Sequence, residues 1–216
     1  MTPLRFPAGA PPKVLCIGAH SDDIEIGCAG TLLSWAKQYP GLQVCWVVLS
    51  AEGEREREAR KSAKALLGPS LQAVELAQFT DGLMPTQYSA VKSFLTGVRD
   101  RFTPHVVLTH RLEDRHQDHR LMAELTWQIW RDQLILEYEI PKFEGDLGQP
   151  NVFVPLSKAH AQRKVRHLMK HFGTQRSKSW FSEPVFEGLM QLRGIECRAP
   201  SGFAEAFHAR KVVLGG

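Results

Sequence analysis

The stretch KVLCIGAHSDDIEIGCAGTLLSWAKQYPGLQVCWVVLS, residues 13–50, decides the fold. It opens on a short apolar run (13–19) and passes into a helix-like stretch from about residue 27 to 39. It breaks at Pro40-Gly41 and enters the most strand-like segment of the chain, 42–50. The alternation continues outward from there. A charged helical pattern covers 54–67 and is stopped by Gly68-Pro69, and a weaker strand covers 74–79. A helix follows over 87–102, a strand over 105–110 (HVVLTH), a helix over 118–131 and a strand over 134–140. Strands alternating with helices are the pattern of a parallel sheet covered on both faces, so we expect an α/β, Rossmann-like, doubly wound fold with a mostly parallel sheet. Residues 141–156 read as a long loop rich in aromatic, Pro and Gly residues, of the kind that serves as a lid or a subunit contact. An amphipathic helix is expected over 157–171, a short helix near 183–192 and a terminal strand near 204–212.

Length and composition narrow the class. The chain's 216 residues, 43% hydrophobic, suffice for one sizeable core, expected over 13–216 behind a proline-broken arm at 1–12. Twenty-seven basic against 23 acidic residues leave a net charge of +4, a weak excess for a nucleic-acid binder. No apolar run approaches the ~18 residues of a membrane span, and MTPLRFPAGAPP is too broken for a signal-peptide core. Cys16, Cys28, Cys45 and Cys197 lie far apart without a Cys-x-x-Cys, which argues against both a disulfide scaffold and a thiolate zinc site. The expected setting is a reducing, cytoplasmic one.

Two polar clusters each follow a strand: His20-Ser21-Asp22-Asp23, and His116-Gln117-Asp118-His119 beyond His110. Ligands of doubly wound sheets bind outside the carboxyl ends of strands where the strand order reverses, and with an order 3-2-1-4-5 the first and fourth strands meet there. Two imidazoles and one carboxylate suit a divalent metal of borderline softness with an open position, as in hydrolytic zinc centres. Zinc acidifies water from a pKa of ~15.7 towards ~7. A neighbouring carboxylate outside the ligand set can accept the proton, and a second histidine can polarise a carbonyl or protonate a leaving group.

AHSDDIEIGCAGT (19–31) and EDRHQDH (113–119) resemble the two signature motifs of the PIG-L/LmbE family of zinc-dependent sugar N-deacetylases. REREARKSAKALLG (55–68), FTDGL (79–83), HFGTQ (171–175), RGIE (193–196) and AEAF (204–207) are similar to further family features. The resemblance implies Zn²⁺, or Fe²⁺, held by His20, Asp23 and His119. It also implies Asp22 as general base, His116 as the histidine that stabilises the oxyanion and protonates the amine, and Asp118 as the group orienting His116. Arg55, Arg115 and Asp81 would contact substrate, an N-acetylated amino sugar or its conjugate, and a homo-oligomer stays open. Ser21 and Gln117 stand where the family usually has prolines, and Ala29 where it has a glycine; no ligand or reacting group is missing.

Other parts of the chain bear on the function. Between Leu147 and Ser182 there is no Asp or Glu but there are seven Lys and Arg residues, which read either as an electropositive wall for a phosphate-bearing substrate or as a solvated helix face. His160, His167 and His171 have no carboxylate beside them and read as surface or core histidines. The competing functions are a metal-dependent amidase on a non-sugar conjugate and a metal-free nucleotide-binding module. Against the latter, Gly18, Gly27 and Gly30 do not form Gly-x-Gly-x-x-Gly.

Overall fold

The computed structural model describes residues 11–213. Most of the expected arm therefore lies outside the described residues. Seven strands form one sheet in the order β3-β2-β1-β4-β5-β7-β6. The strands are β1 (Lys13–His20), β2 (Gln43–Ser50), β3 (Leu71–Leu76), β4 (Val106–Thr109), β5 (Leu134–Tyr138), β6 (Val152–Pro155) and β7 (Ala204–His208). The first five are parallel, and β7 pairs antiparallel with both β5 and β6. β1 and β2 are buried nearly throughout, as central parallel strands must be when helices cover both faces.

Alternation along β1 divides the core. Val14 and Cys16 face one layer with α1 (Asp23–Gln38), α2 (Glu54–Leu67), α5 (Lys158–His171) and α6 (Glu183–Glu196). Leu15, Ile17 and Ala19 face the other, where α3 (Tyr88–Arg101) supplies Val91, Leu95 and Val98 and α4 (Gln117–Ile129) supplies Leu121, Met122 and Leu125. The chain thus winds outward through β2 and β3 with its helices on one face, then returns across β1 to β4 with its helices on the other. The reversal falls between β1 and β4, so their carboxyl ends open on a shared crevice. Close packing of α1 requires Gly27, because a Cβ there would meet the Tyr138 ring at 2.4 Å.

The sequence expectations needed four adjustments. α1 starts at Asp23, so the first polar cluster lies on a helix start, where carboxylates complement the helix dipole. β3 begins three residues earlier than expected, immediately after the Gly68–Ser70 turn. The 141–156 segment contains β6, and β7 ends at His208. The part of that segment nearest the crevice is fastened rather than free: Lys142 Nζ lies 2.7 Å from both Asp146 carboxylate oxygens and 3.0 Å from Asp114 Oδ2. No described helix is long and apolar enough to cross a membrane.

Candidate metal centre

The crevice gathers the two polar clusters. His20 ends β1, Asp22 caps α1, Asp23 opens α1, and His116 and His119 belong to the first turn of α4. His20 Nδ1 and His119 Nε2 lie 3.2 Å apart. Asp23 Oδ2 is 3.4 Å from His20 Nδ1, and Asp23 Oδ1 is 3.6 Å from His119 Nε2. All three residues are buried.

The far nitrogens of both rings are already engaged. His20 Nε2 faces Asp81 Oδ1 at 2.9 Å and Asp118 Oδ2 at 3.3 Å, and His119 Nδ1 faces Asp114 Oδ2 at 3.0 Å. A carboxylate accepts only, so each outer nitrogen donates, and the inner nitrogens face one another and Asp23 at hydrogen-bond distance. Groups that converge in this way in a buried space can hold, in place of a shared proton, a metal ion. Their spacing fits one: ligand bonds of ~2.0–2.1 Å at tetrahedral angles separate the donors by roughly 3.3–3.4 Å. With an ion bound there, Asp81, Asp118 and Asp114 would be the outer carboxylates that orient its imidazole ligands.

The electrostatics follow the same geometry. Burial pushes the His119 pKa down to about 3, with repulsion from His110 adding to it. For His20 burial acts the same way, but Asp23 and then Asp118 outweigh it and hold its pKa well above the usual value. Burial works against the Asp23 carboxylate, yet His119, His110 and His20 keep it ionised far below the ordinary range. Asp22, beside it, is shifted the other way: burial and then the Asp23 charge raise its pKa. Burial and then His20 lower that of His116.

Each expected site residue can now be placed. His20, Asp22, Asp23, Asp81, Arg55, His116, Asp118 and His119 surround the crevice. Arg55 bridges Asp22 Oδ1 (3.3 Å) and Asp81 Oδ2 (3.1 Å), and its Nε has no hydrogen-bond partner among the described residues. Asp81 likewise spends its oxygens on His20 and Arg55. Asp118 does not orient His116 with its side chain. Its carboxylate accepts from the N–H groups of Gly82 (2.6 Å) and Met84 (3.1 Å), and only its backbone N–H reaches His116 Nδ1, at 3.3 Å. Residues two apart at a helix start do not face each other. Arg115 is exposed on the rim; its backbone N–H donates to Asp146 Oδ2. Gln117, in place of a proline, donates to Gly82 O at 2.9 Å and ties the Asp81 loop to α4. Gly82 takes φ +79°, a conformation suited to glycine, which turns its N–H onto Asp118.

Two residues escaped the sequence reading. Asp114 accepts from the His116 N–H (2.8 Å) as well as pairing with His119. It lies within the second motif, but nothing in its spacing distinguishes it from Glu113. His110, fully buried, stacks on His119 with ring centroids 3.9 Å apart, and its Nε2 lies 3.1 Å from Asp23 Oδ2. Groups of potential ligands among the described residues are Asp23–His110–His119 and His20–His116–His119, which share His119, and His20–Asp81–His116–Asp118. The α5 histidines are structural: His160 bonds Ser34 (2.9 Å), His167 bonds Ser62 (2.7 Å) and His171 stacks on His167.

Comparisons with known proteins cover the chain that carries this crevice. Residues 15–130 match the family model described as "PIG-L: GlcNAc-PI de-N-acetylase". The chain is 30% identical over 171 residues to the uncharacterized deacetylase YaiS of Escherichia coli (strain K12), covering 73% of this chain and 89% of that one. In fold it is similar to the N,N'-diacetylchitobiose deacetylase of Pyrococcus horikoshii (TM-score 0.72, 20% identity, 92% of this chain and 83% of that one). It is also similar to GalB, the 4-carboxy-2-hydroxymuconate hydratase of Pseudomonas putida KT2440 (TM-score 0.76, 18% identity, 95% and 98%). The last two likenesses join enzymes of different reaction type, so they speak for the fold alone.

Proposed function

Because the chain belongs to the PIG-L family, we propose that it is a metal-dependent N-deacetylase acting on an N-acetylated amino sugar or a conjugate of one. The observation that carries the proposal is the mutual approach of His20 Nδ1, His119 Nε2 and Asp23 at 3.2–3.6 Å, with Asp22 and His116 alongside. His20, Asp23 and His119 would hold zinc, with iron(II) as the alternative occupant suited to the same donors. Such an ion supplies Lewis acidity, polarising the amide carbonyl and acidifying water.

The remaining chemistry belongs to the side chains. Asp22 offers Oδ2 as the base that takes a proton from the attacking water, while Arg55 occupies Oδ1 and fixes the carboxylate's orientation. Its raised pKa brings it nearer the working range of a general base than an exposed aspartate would be. His116 Nδ1 accepts from the Asp118 N–H, which leaves the ring proton on Nε2, the nitrogen available to donate to the developing oxyanion. As the C–N bond breaks, the proton held by Asp22 or His116 passes to the departing amine, giving acetate and the free amino sugar. Asp114, Asp118 and Asp81 are positioning residues that act through the histidines.

The test is acetate release from N-acetylglucosamine, its 1-phosphate and its nucleotide diphosphate conjugate, with a non-sugar N-acetyl amide as a further arm and chelated protein as control. Chelator-sensitive release from a sugar is the expected result. Release from the non-sugar amide alone would make the protein an amidase of another class, and release unaffected by chelation would remove the metal from the account.

A further inference from the structure

Residues 141–148, the first half of the segment read from sequence as a lid or a subunit contact, lie against the loop that joins β4 to α4. Residues 143–145 bulge into solvent, and Gly145 turns the chain at φ +60°. The residues flanking the bulge turn inward. The side chains of Lys142 and Asp146 are 6% and 7% exposed, close to the 5% of Asp114.

Lys142 spends its whole donor capacity in that place. An ammonium has three N–H donors, and Nζ meets Asp146 Oδ1 and Oδ2 at 2.7 Å and Asp114 Oδ2 at 3.0 Å. Asp146 Oδ2 also accepts the Arg115 N–H, and the Asp146 carbonyl accepts from Arg111 Nη1, both at 2.6 Å. The Gly148 carbonyl accepts from Arg193 Nη2 at 3.1 Å. A Cβ at Gly148 would meet the Arg111 guanidinium at 2.7 Å, so the chain lies directly on that side chain. The space left among Arg111, Asp114, Lys142 and Asp146 is about 10 Å³, hardly room for one water. A cation enclosed in this way takes no substrate group, and a segment fastened along its length is a wall rather than a lid.

The Lys142 ammonium does reach the carboxylate behind His119. Asp114 Oδ2 stands between His119 Nδ1 and Lys142 Nζ, each at 3.0 Å, and Asp114 Oδ1 takes the His116 N–H at 2.8 Å. One carboxylate thus bears on both histidines of the second motif, and Lys142 is the only Lys or Arg paired with it among the described residues. Without the ammonium, Asp114 and Asp146 would be two buried carboxylates around one vacated place. The Arg115 N–H holds Asp146, so Asp114 would be the one to yield.

We infer that Lys142 is a positioning residue for the metal centre: it holds Asp114 against His119 Nδ1 and so fixes the ring whose Nε2 faces His20 and Asp23. This rests on the metal reading of that cluster. Charge alone would act in the opposite sense, because a nearby ammonium repels a divalent ion. A Lys142 that worked only through its field would weaken metal binding, and its removal would tighten it. A Lys142 that holds Asp114 in place supports the metal, and its removal weakens binding.

The experiment titrates zinc, in competition with a chromogenic chelator, into the wild type, Lys142→Met, Asp114→Asn and the double variant, with Lys142→Arg as the conservative replacement. Lys142→Met should lose about tenfold or more in zinc affinity, in the range found for outer partners of ligating histidines. Lys142→Arg should recover most of that loss. In the Asp114→Asn background Lys142→Met should cost nothing further, because the lysine acts through that carboxylate. A general loosening of the fold would instead cost the same in both backgrounds. Should Lys142→Met not fold, Lys142→Gln, which keeps a donor but not the charge, carries the same cycle with a smaller loss expected. Zinc affinity unchanged or higher in Lys142→Met or Lys142→Gln, or a loss undiminished in the Asp114→Asn background, overturns the role of Lys142 and leaves the centre standing. A wild type that binds no zinc removes the centre itself, and the role with it.

Discussion

Two buried polar regions of this protein treat charge in opposite ways. Where α5, α6 and β7 pack on the sheet, two buried cations are each closed into an ion pair. Lys164 lies on Glu205, whose carboxylate also accepts from the Gly30 (2.9 Å) and Thr31 (2.6 Å) N–H groups of α1. Arg193 lies on Glu139 through two contacts of 2.8 and 2.6 Å and reaches Glu196 and Gly148 O as well. In the crevice between β1 and β4 the outer atoms are met in the same way, but the inner ones converge: two imidazole nitrogens and a carboxylate face one another, with no Lys or Arg paired to them among the described residues. Burial is equally deep in both regions, so burial does not separate structure from function here. The convergence of potential ligand atoms on one another does.

The contrast can be broken by substitutions that touch one region and are read in both. The largest effect on activity is expected from Asp22→Asn, which should retain metal by elemental analysis and lose about 10²–10⁴ in turnover. Since it removes a buried charge adjacent to Asp23, its thermal midpoint should not fall. Full activity in this variant would remove Asp22 from the role of base. Lys164→Met is the mirror experiment. It leaves Glu205 buried without its cation and should cost about 3 kcal/mol of stability, seen as a lower urea midpoint at unchanged slope. Metal content should not change, and a parallel loss of metal would mean that the two regions are not energetically separate. Smallest in scale is Asp114→Asn, which weakens the carboxylate behind His119 without deleting an acceptor. It should reduce metal affinity by about 10–100-fold in a competition titration with a chelator. An unchanged affinity would reduce Asp114 to a loop anchor for Lys142.

The parallel half of the fold is legible because its strands are long apolar runs and its helices carry stop signals at Pro40-Gly41 and Gly68-Pro69. The antiparallel edge is not. β6 is four residues ending in a proline within a stretch dense in loop formers, and only its partner β7, fifty residues on, makes it a strand. Within the site, residues that touch the shared point are readable from motif position, as with His20, Asp23 and His119. Residues that act through another side chain are not. Asp118 looks like the partner of His116 because it is near in sequence, but the first turn of α4 carries its carboxylate to Gly82, Met84 and His20. Asp114 and Asp81 reach His119 and His20 only because separate loops meet, and no local pattern encodes that meeting.

The central claim is that the convergent atoms of His20, Asp23 and His119 are a metal's ligand set. X-ray absorption at the metal edge, on protein purified without added metal and alongside His119→Ala, tests it most directly. The account predicts one divalent ion per chain, with two imidazole nitrogens at ~2.0–2.1 Å and carboxylate oxygen completing the protein ligands, and its loss from the variant. A wild type that carries no metal yet releases acetate, or a variant that keeps the same ion in the same coordination, would contradict it.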